Sequence, residues 1–386
     1  MSTQHIARRL LARPEALTLQ WSEGSADEYA SIWLCDNAPA HRDPHSGQRL
    51  IDVADLPEAP RIRSAVLREG RVHIEWQDSI APASFDLQWL AAHGAGTAHR
   101  RDQPAVHPWL DGASLDAARD FAWLDLRELR AAQARSGWLA RLIRDGVAFL
   151  RAVPATRDAL LDAMRLIGQV SETNYGLTFE VCSVPQPENL AYSDLGLGLH
   201  TDNPYREPVP GFQALHTLIC SPDGGDSLFA DGFALAEQLR TCDPGSFALL
   251  SRTPVPFHYR SQSAELRAER PMIELTGRGE VAAISYNSRS IAPLRLAAAE
   301  AVPFYAAYRR LAGLLREPHH QLKFKLLDGE LVLFDNRRIL HGRTPFSSAR
   351  HPRHLRGCYL SRDSVHSAAG VLCRELDRED GDERGR

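Results

Sequence analysis

The nine residues LGLHTDNPY (197–205) decide how this chain is read. LGLH has the character of a strand, and side chains on a strand alternate between faces, so His200 and Asp202 project together from the backbone. An imidazole and a carboxylate at that spacing supply two legs of a 2-His-1-carboxylate facial triad, which binds Fe(II) on one face and leaves the other positions open. Taken alone, the HxD pattern is also that of a polar strand end. A third ligand is offered by LVLFDNRRILHGR (331–343), where an apolar strand and a DN turn lead to His341. The next strand, RHLRGCY (353–359), opens with Arg353. A guanidinium grips a carboxylate through two parallel hydrogen bonds, which a lysine cannot copy. That suits the distal carboxylate of 2-oxoglutarate, whose keto-acid end would chelate the iron. Singly, Arg353 reads as one surface arginine among many; the order His200, Asp202, His341, Arg353 carries the metal hypothesis.

Outward from these motifs, the pattern predicts a mainly β protein with flanking helices: a double-stranded β-helix (jelly roll) catalytic domain behind a small β-rich N-terminal domain. ALTLQW, RLIDVADL, IRSAVL and RVHIEWQ read as short strands within 1–93, and AHRDPHSGQ as a turn cluster. Residues 94–118 lose periodicity and are expected to be a linker, with the oxygenase domain over 119–376 and a disordered charged tail over 377–386. LRELRAAQARSGWLARLIRDG, TRDALLDAMRLIGQV (with Thr156 as its cap) and VPFYAAYRRLAGLLRE predict helices. GVAFLRAV, ELVLFDN and HLRGCYLSRD predict strands.

Composition excludes some partners. Of 386 residues 44% are apolar and 24% charged, and the formal net charge is −4, so there is no basic footprint for nucleic acid or an anionic membrane. No apolar run approaches the ~20 residues of a membrane span. The opening MSTQHIARRLLARPEAL interrupts its leucines with arginines, which argues against a signal peptide. Six scattered cysteines without a CxxC pair fit a reducing cytoplasm.

HTD, GGDSLFADGF, FDNRRILHGR and RHLRGCY, with WLCDN and WQDSIAPASFDLQWL near the N-terminus, together resemble the γ-butyrobetaine dioxygenase branch of the taurine-dioxygenase-like Fe(II)/2-oxoglutarate oxygenases. The resemblance spans nearly the whole chain. It implies iron on His200, Asp202 and His341, 2-oxoglutarate on Arg353 with help from the Ser227 hydroxyl, and O2 as the second co-substrate. It also implies an aromatic enclosure for a trimethylammonium group from Tyr175, Phe179, Tyr192 and Tyr359, with Asn189 and Asn287 at the substrate's acidic end. A quaternary ammonium donates no hydrogen bonds, so ring faces must replace its water, each contact contributing roughly 0.5–2 kcal/mol. Without the resemblance, four aromatics in a β core simply pack, and the asparagines read as turn formers.

Two departures from the branch follow. Relatives often carry a structural zinc after the DN; here Ala38 and Ala40 stand where cysteines would, and His41, His45 and Cys35 do not complete a four-ligand set, so no structural zinc is predicted. Beside Asn287 and Asn203 stand Arg289 and Arg206. Extra positive charge would suit a more highly charged acid, such as 2-(trimethylammonio)ethylphosphonate, hydroxylated by close relatives of the branch, rather than γ-butyrobetaine. Both arginines could equally face solvent. The expectation is therefore a hydroxylase of a small trimethylammonium acid giving succinate and CO2, with a homodimer compatible with an N-terminal domain of this type. The rivals are a taurine-like sulfonate dioxygenase and a non-catalytic jelly-roll binding protein.

Overall fold

Two apolar runs set the layering of the longer part of the chain. In the computed structural model, Val147–Arg151 and Leu331–Asp335 pair antiparallel, Leu331 opposite Leu150 and Phe334 opposite Val147. Ala148, Leu150, Leu331 and Leu333 pack into one core with helical residues such as Leu139 and Leu160. Val147, Phe149, Val332 and Phe334 face the other way, onto Phe229, Leu322 and Ile339 of a second sheet. Strands buried on both faces read as continuous apolar runs, which is why VAFL and LVLF lack alternation.

The structure describes residues 5–77, 80–95, 106–182, 194–347 and 353–384, with side chains to residue 378. The chain divides into two units, Met1–Arg101 and Asp102–Arg386. In the first, β1 (Ala7–Arg13), β2 (Ala16–Trp21) and β3 (Ala26–Ala30) form one sheet and β4 (Ile62–Arg68), β5 (Arg71–Trp76) and β6 (Ala83–Asp86) another. Helices α1 (Ser31–Asp36) and α2 (Leu87–His93) complete it. Alternate residues of β2 and β5 (Leu17, Leu19, Val72, Ile74) enter its core with Trp21, Trp76 and Phe85.

In the second unit, strands β7 (Ala122–Asp125), β8 (Val147–Arg151), β9 (Val170–Ser171), β10 (Phe179–Cys182), β11 (Leu197–His200), β12 (Phe212–Ile219) and β13 (Ser227–Asp231) come first. Four short strands follow, β14 (Val255–Arg260), β15 (Glu265–Arg270), β16 (Ile273–Leu275) and β17 (Val281–Ile284), then β18 (Leu322–Phe324), β19 (Leu331–Asp335), β20 (Ile339–Arg343) and β21 (His354–Leu360). The larger sheet runs β10-β21-β12-β19-β8-β7, with β9 on β21, and the smaller runs β11-β20-β13-β18. Helices α3 (Ala132–Asp145), α4 (Ala159–Arg165) and α8 (Arg362–Arg384) contribute Leu142, Met164 and Val365 to the core behind the larger sheet. Helices α5 (Gly232–Cys242), α6 (Pro244–Arg252) and α7 (Ala298–Arg316) build a separate core with β14 and β16. Among the described residues no helix is long and apolar enough to cross a membrane, and the six cysteines are free.

Several local expectations are corrected. RLIDVADL is not a strand: Asp52 accepts the Ala54 N–H at 2.9 Å and starts a single 3-10 turn, Val53–Asp55. Asp and Ser-type residues that bond the backbone locally compete with ladders in this way. Residues 106–118 belong to the second unit rather than to a linker, because Trp109 is buried there and meets Phe121 edge-on at 5.8 Å. Thr156 lies outside α4, whose N-cap position is Asp158. The backbone of 377–384 continues α8 instead of ending as a disordered tail; extending a helix already anchored by Val365 and Leu372 needs no new nucleus.

His216, on β12, is fully buried. Burial lowers its pKa, against a smaller opposing effect of the Val153 backbone. A histidine whose folded pKa lies below its unfolded value, about 6.5, gives the unfolded chain the extra proton as pH falls. Stability is therefore full above neutral pH and declines below about pH 6.5. The thermal midpoint should fall between pH 7.5 and 5.5, and His216→Leu should shrink that fall; an undiminished fall would contradict the assignment.

Candidate metal centre and its cavity

Antiparallel pairing of β11 with β20 places His200 directly opposite His341. His200 Nδ1 lies 2.9 Å from the Gly198 carbonyl, so Nδ1 carries the hydrogen and Nε2 presents its lone pair. That Nε2 is 3.3 Å from Asp202 Oδ1, and His341 Nε2 is 3.9 Å from Asp202 Oδ2. Ligand atoms of the three residues all fall within 4.8 Å of one another, the one such group of three found among the described residues. Burial pushes the His341 pKa down to about 3, reinforced by His200. Burial alone would raise Asp202, but the neighbouring His200 and His341 and the hydrogen bond from the Tyr359 hydroxyl hold it well below the usual carboxylate range. Neutral imidazoles and an ionised carboxylate are the protonation states a divalent metal requires. The buried His341 Nδ1 makes no hydrogen bond in this structure. Two nitrogens and one oxygen on one side of a cavity match the donor set of non-haem Fe(II).

Asp202 is anchored at both ends. The fully buried Asn336 accepts the Asp202 N–H through Oδ1 at 2.7 Å and donates Nδ2 to the Asp202 carbonyl at 3.0 Å and to the Pro210 carbonyl at 3.1 Å. At the carboxylate, Tyr359 donates its hydroxyl to Oδ2 at 2.8 Å. Sequence reasoning missed Asn336, which was visible only as part of a DN turn.

Arg353, Ser227 and the triad line the same cavity. Arg353 is buried and, among the described residues, has no ion pair or hydrogen bond; burial and the charge of Arg343 lower its pKa to about 10, leaving it cationic at neutral pH. What holds it is shape. Gly225 has φ of +68°, and a Cβ there would sit 2.8 Å from Arg353 Cδ, so the GGDS turn packs directly on the guanidinium stem. The Phe346 ring lies 5.8 Å from the guanidinium carbon on another side. Arg343, also missed from sequence, lines the cavity with its guanidinium 5.3 Å from the same ring and donates to the Leu195 carbonyl.

Tyr175, Phe179 and Tyr359 line the cavity too. Phe179 lies 5.0 Å from Tyr359, and a Cβ on Gly357 would come within 2.3 Å of the Phe179 ring, so RGCY needs its glycine for the ring to lie flat on β21. Tyr205 stacks on Tyr259 at 5.0 Å beside Tyr175. Arg289 lines the cavity; desolvation lowers its pKa, opposed by attraction to Asp202. Arg206 does not line it: its guanidinium is hydrogen-bonded to Asn174 and lies against the Tyr175 and Tyr205 rings. Asn287 is buried behind the cavity wall, where Nδ2 donates to the Thr201 carbonyl at 3.0 Å. Asn189 and Tyr192 lie outside the described residues.

Comparison with known proteins agrees with this geometry. Residues 109–359 match the family described as taurine catabolism dioxygenase TauD, TfdA. The chain is 34% identical over 365 residues to γ-butyrobetaine dioxygenase of Pseudomonas sp. (strain AK-1), covering 93% of this chain and 94% of that protein. It is 30% identical over 357 residues to the mitochondrial trimethyllysine dioxygenase of Rattus norvegicus, covering 88% and 82%. It is 28% identical over 373 residues to human γ-butyrobetaine dioxygenase, covering 92% and 94%. With the family match covering well over half its length, this chain belongs to the TauD/TfdA dioxygenase family.

Proposed function

We propose that this chain is an Fe(II)- and 2-oxoglutarate-dependent hydroxylase of a small trimethylammonium acid, built on a double-stranded β-helix unit that follows a β-rich N-terminal domain. The observation that carries this reading is one cavity lined both by the triad and by the buried Arg353, which has no ion pair or hydrogen bond among the described residues. Iron and 2-oxoglutarate, when bound, supply the oxygen-activating chemistry; the chain supplies position and charge.

His200, Asp202 and His341 hold the metal from one side and leave the cavity side to the co-substrate. Arg353 receives the distal carboxylate of 2-oxoglutarate in a two-pronged hydrogen bond, with the Ser227 hydroxyl as a further donor. The rings of Tyr175, Phe179 and Tyr359 take the trimethylammonium group, with Tyr192 as their expected partner. Arg289 takes the acid. Distance between rings and Arg289 then selects which substrate carbon faces the metal. Because Arg289 lines the cavity while Arg206 is engaged by Asn174, the phosphonate is the preferred acid. Its second negative charge gains a charge-assisted hydrogen bond of roughly 1.5–3 kcal/mol.

Incubation with Fe(II), 2-oxoglutarate and O2 should convert 2-(trimethylammonio)ethylphosphonate to a product heavier by one oxygen, about tenfold or more faster at limiting substrate than γ-butyrobetaine. Arg289→Gln should erase most of that preference. Turnover of taurine with neither trimethylammonium acid accepted would overturn the substrate reading. Arg353→Lys should raise the half-saturating 2-oxoglutarate concentration by about tenfold or more, since two hydrogen bonds become one point charge; an unchanged value would remove Arg353 from this role.

A further inference from the structure

A chain of hydrogen bonds runs from the aromatic wall to the metal carboxylate, and its direction is fixed by chemistry. Asp202, ionised, can only accept, so the Tyr359 hydroxyl must donate to Oδ2 across 2.8 Å. The Tyr359 oxygen is then free to accept, and Asn203 Nδ2 lies 3.1 Å away. With its amide nitrogen turned to Tyr359, Asn203 presents Oδ1 to the Tyr205 hydroxyl at 2.6 Å. Asn203, Tyr205 and Tyr359 are all buried, which raises the cost of losing any of these links. Asn203 occupies the left-handed region with φ of +55°, a conformation asparagine tolerates better than most side chains. From that backbone conformation the amide reaches Tyr359 on β21, in the larger sheet.

The two carboxylate oxygens are thereby made unequal. Oδ2 is engaged by Tyr359, while Oδ1 stands 3.3 Å from the lone-pair nitrogen of His200. We propose that Tyr205, Asn203 and Tyr359 form a one-way positioning relay that fixes the Asp202 carboxylate, engaging Oδ2 and leaving Oδ1 for the metal. Tyr359 consequently has two separable parts: a ring that walls the cavity, and a hydroxyl that orients the metal ligand. The inference rests on the metal assignment of the proposed function but not on the identity of the substrate.

Metal binding without substrate tests it. Full-length protein is titrated with Co(II), following the visible ligand-field absorption, and the thermal midpoint of each metal-free variant is recorded as a check on folding. Tyr359→Phe keeps the ring and removes the hydroxyl; it should weaken Co(II) binding by about 10- to 100-fold, the usual cost of losing a partner that orients a ligand, and alter the absorption bands. Asn203→Gly keeps the left-handed backbone accessible and removes the amide, and should weaken binding in the same direction. In the double variant the two losses should not multiply, because the amide acts only through the hydroxyl. Wild-type affinity and spectrum in a folded Tyr359→Phe would overturn the relay, as would multiplying losses in the double variant. Wild-type protein that fails to bind Co(II) would instead remove the metal assignment on which the relay stands.

Discussion

The metal end of the second unit depends on one buried ion pair. Asp231 and Arg338 meet at 2.6 Å with both side chains excluded from solvent. Asp231 ends β13 and caps α5, accepting the Phe233 and Ala234 N–H groups, and it accepts the Trp109 N–H as well. Arg338 also donates to the Arg144 and His107 carbonyls. Three separate stretches are thus fastened where β13 meets β20, with Asp231 opposite Ile339 in the ladder. Two residues beyond Ile339 comes His341, facing His200 across the β11–β20 pair. Removing one partner of such a pair strands the other charge in the interior, at about 3–5 kcal/mol. The register that brings both imidazoles together is set from this point.

The cavity is electrostatically lopsided. Among the described residues Arg289, Arg343 and Arg353 line it with one carboxylate, Asp202, while Asp194 also acts on Arg343 and Asp226 on Arg353. Arg343 and Arg353 are pushed down to about 10 by burial, which still leaves both charged at neutral pH. Under the proposed function the anionic co-substrate would meet Arg353, the anionic substrate head Arg289, and a divalent cation Asp202. The rings would then supply a surface for a cation with no hydrogen to donate. Charge and aromatic surface are thus sorted within one enclosure.

Residues whose roles follow from period and residue type were legible in the sequence. His200 and Asp202 are two apart at the end of a strand, His341 follows an apolar strand and a turn, and Arg353 opens the next strand; the cavity contains all four. Asn336 was not legible, because its partners are backbone groups of Asp202 and Pro210, far away in sequence and set by tertiary contact alone. Tyr205 sat inside the quoted motif, yet its value comes from an amide that turns only because Asn203 is left-handed. Asn287 and Arg206 show the converse: proximity to a motif says nothing of which way a side chain points, and both are engaged outside the cavity lining. RLIDVADL has strand composition, but Asp52 offers the backbone a local bond first.

The central claim, that one cavity joins metal and 2-oxoglutarate, is tested most directly without any substrate or turnover. Anaerobic addition of Fe(II) and 2-oxoglutarate together should produce a visible charge-transfer absorption that neither produces alone, because a keto acid chelating the iron through its carboxylate and carbonyl accepts electron density from the metal. The account predicts that band in the wild-type protein and its loss in His341→Ala. No band in folded wild-type protein with both present in excess, or an undiminished band in His341→Ala, would contradict it.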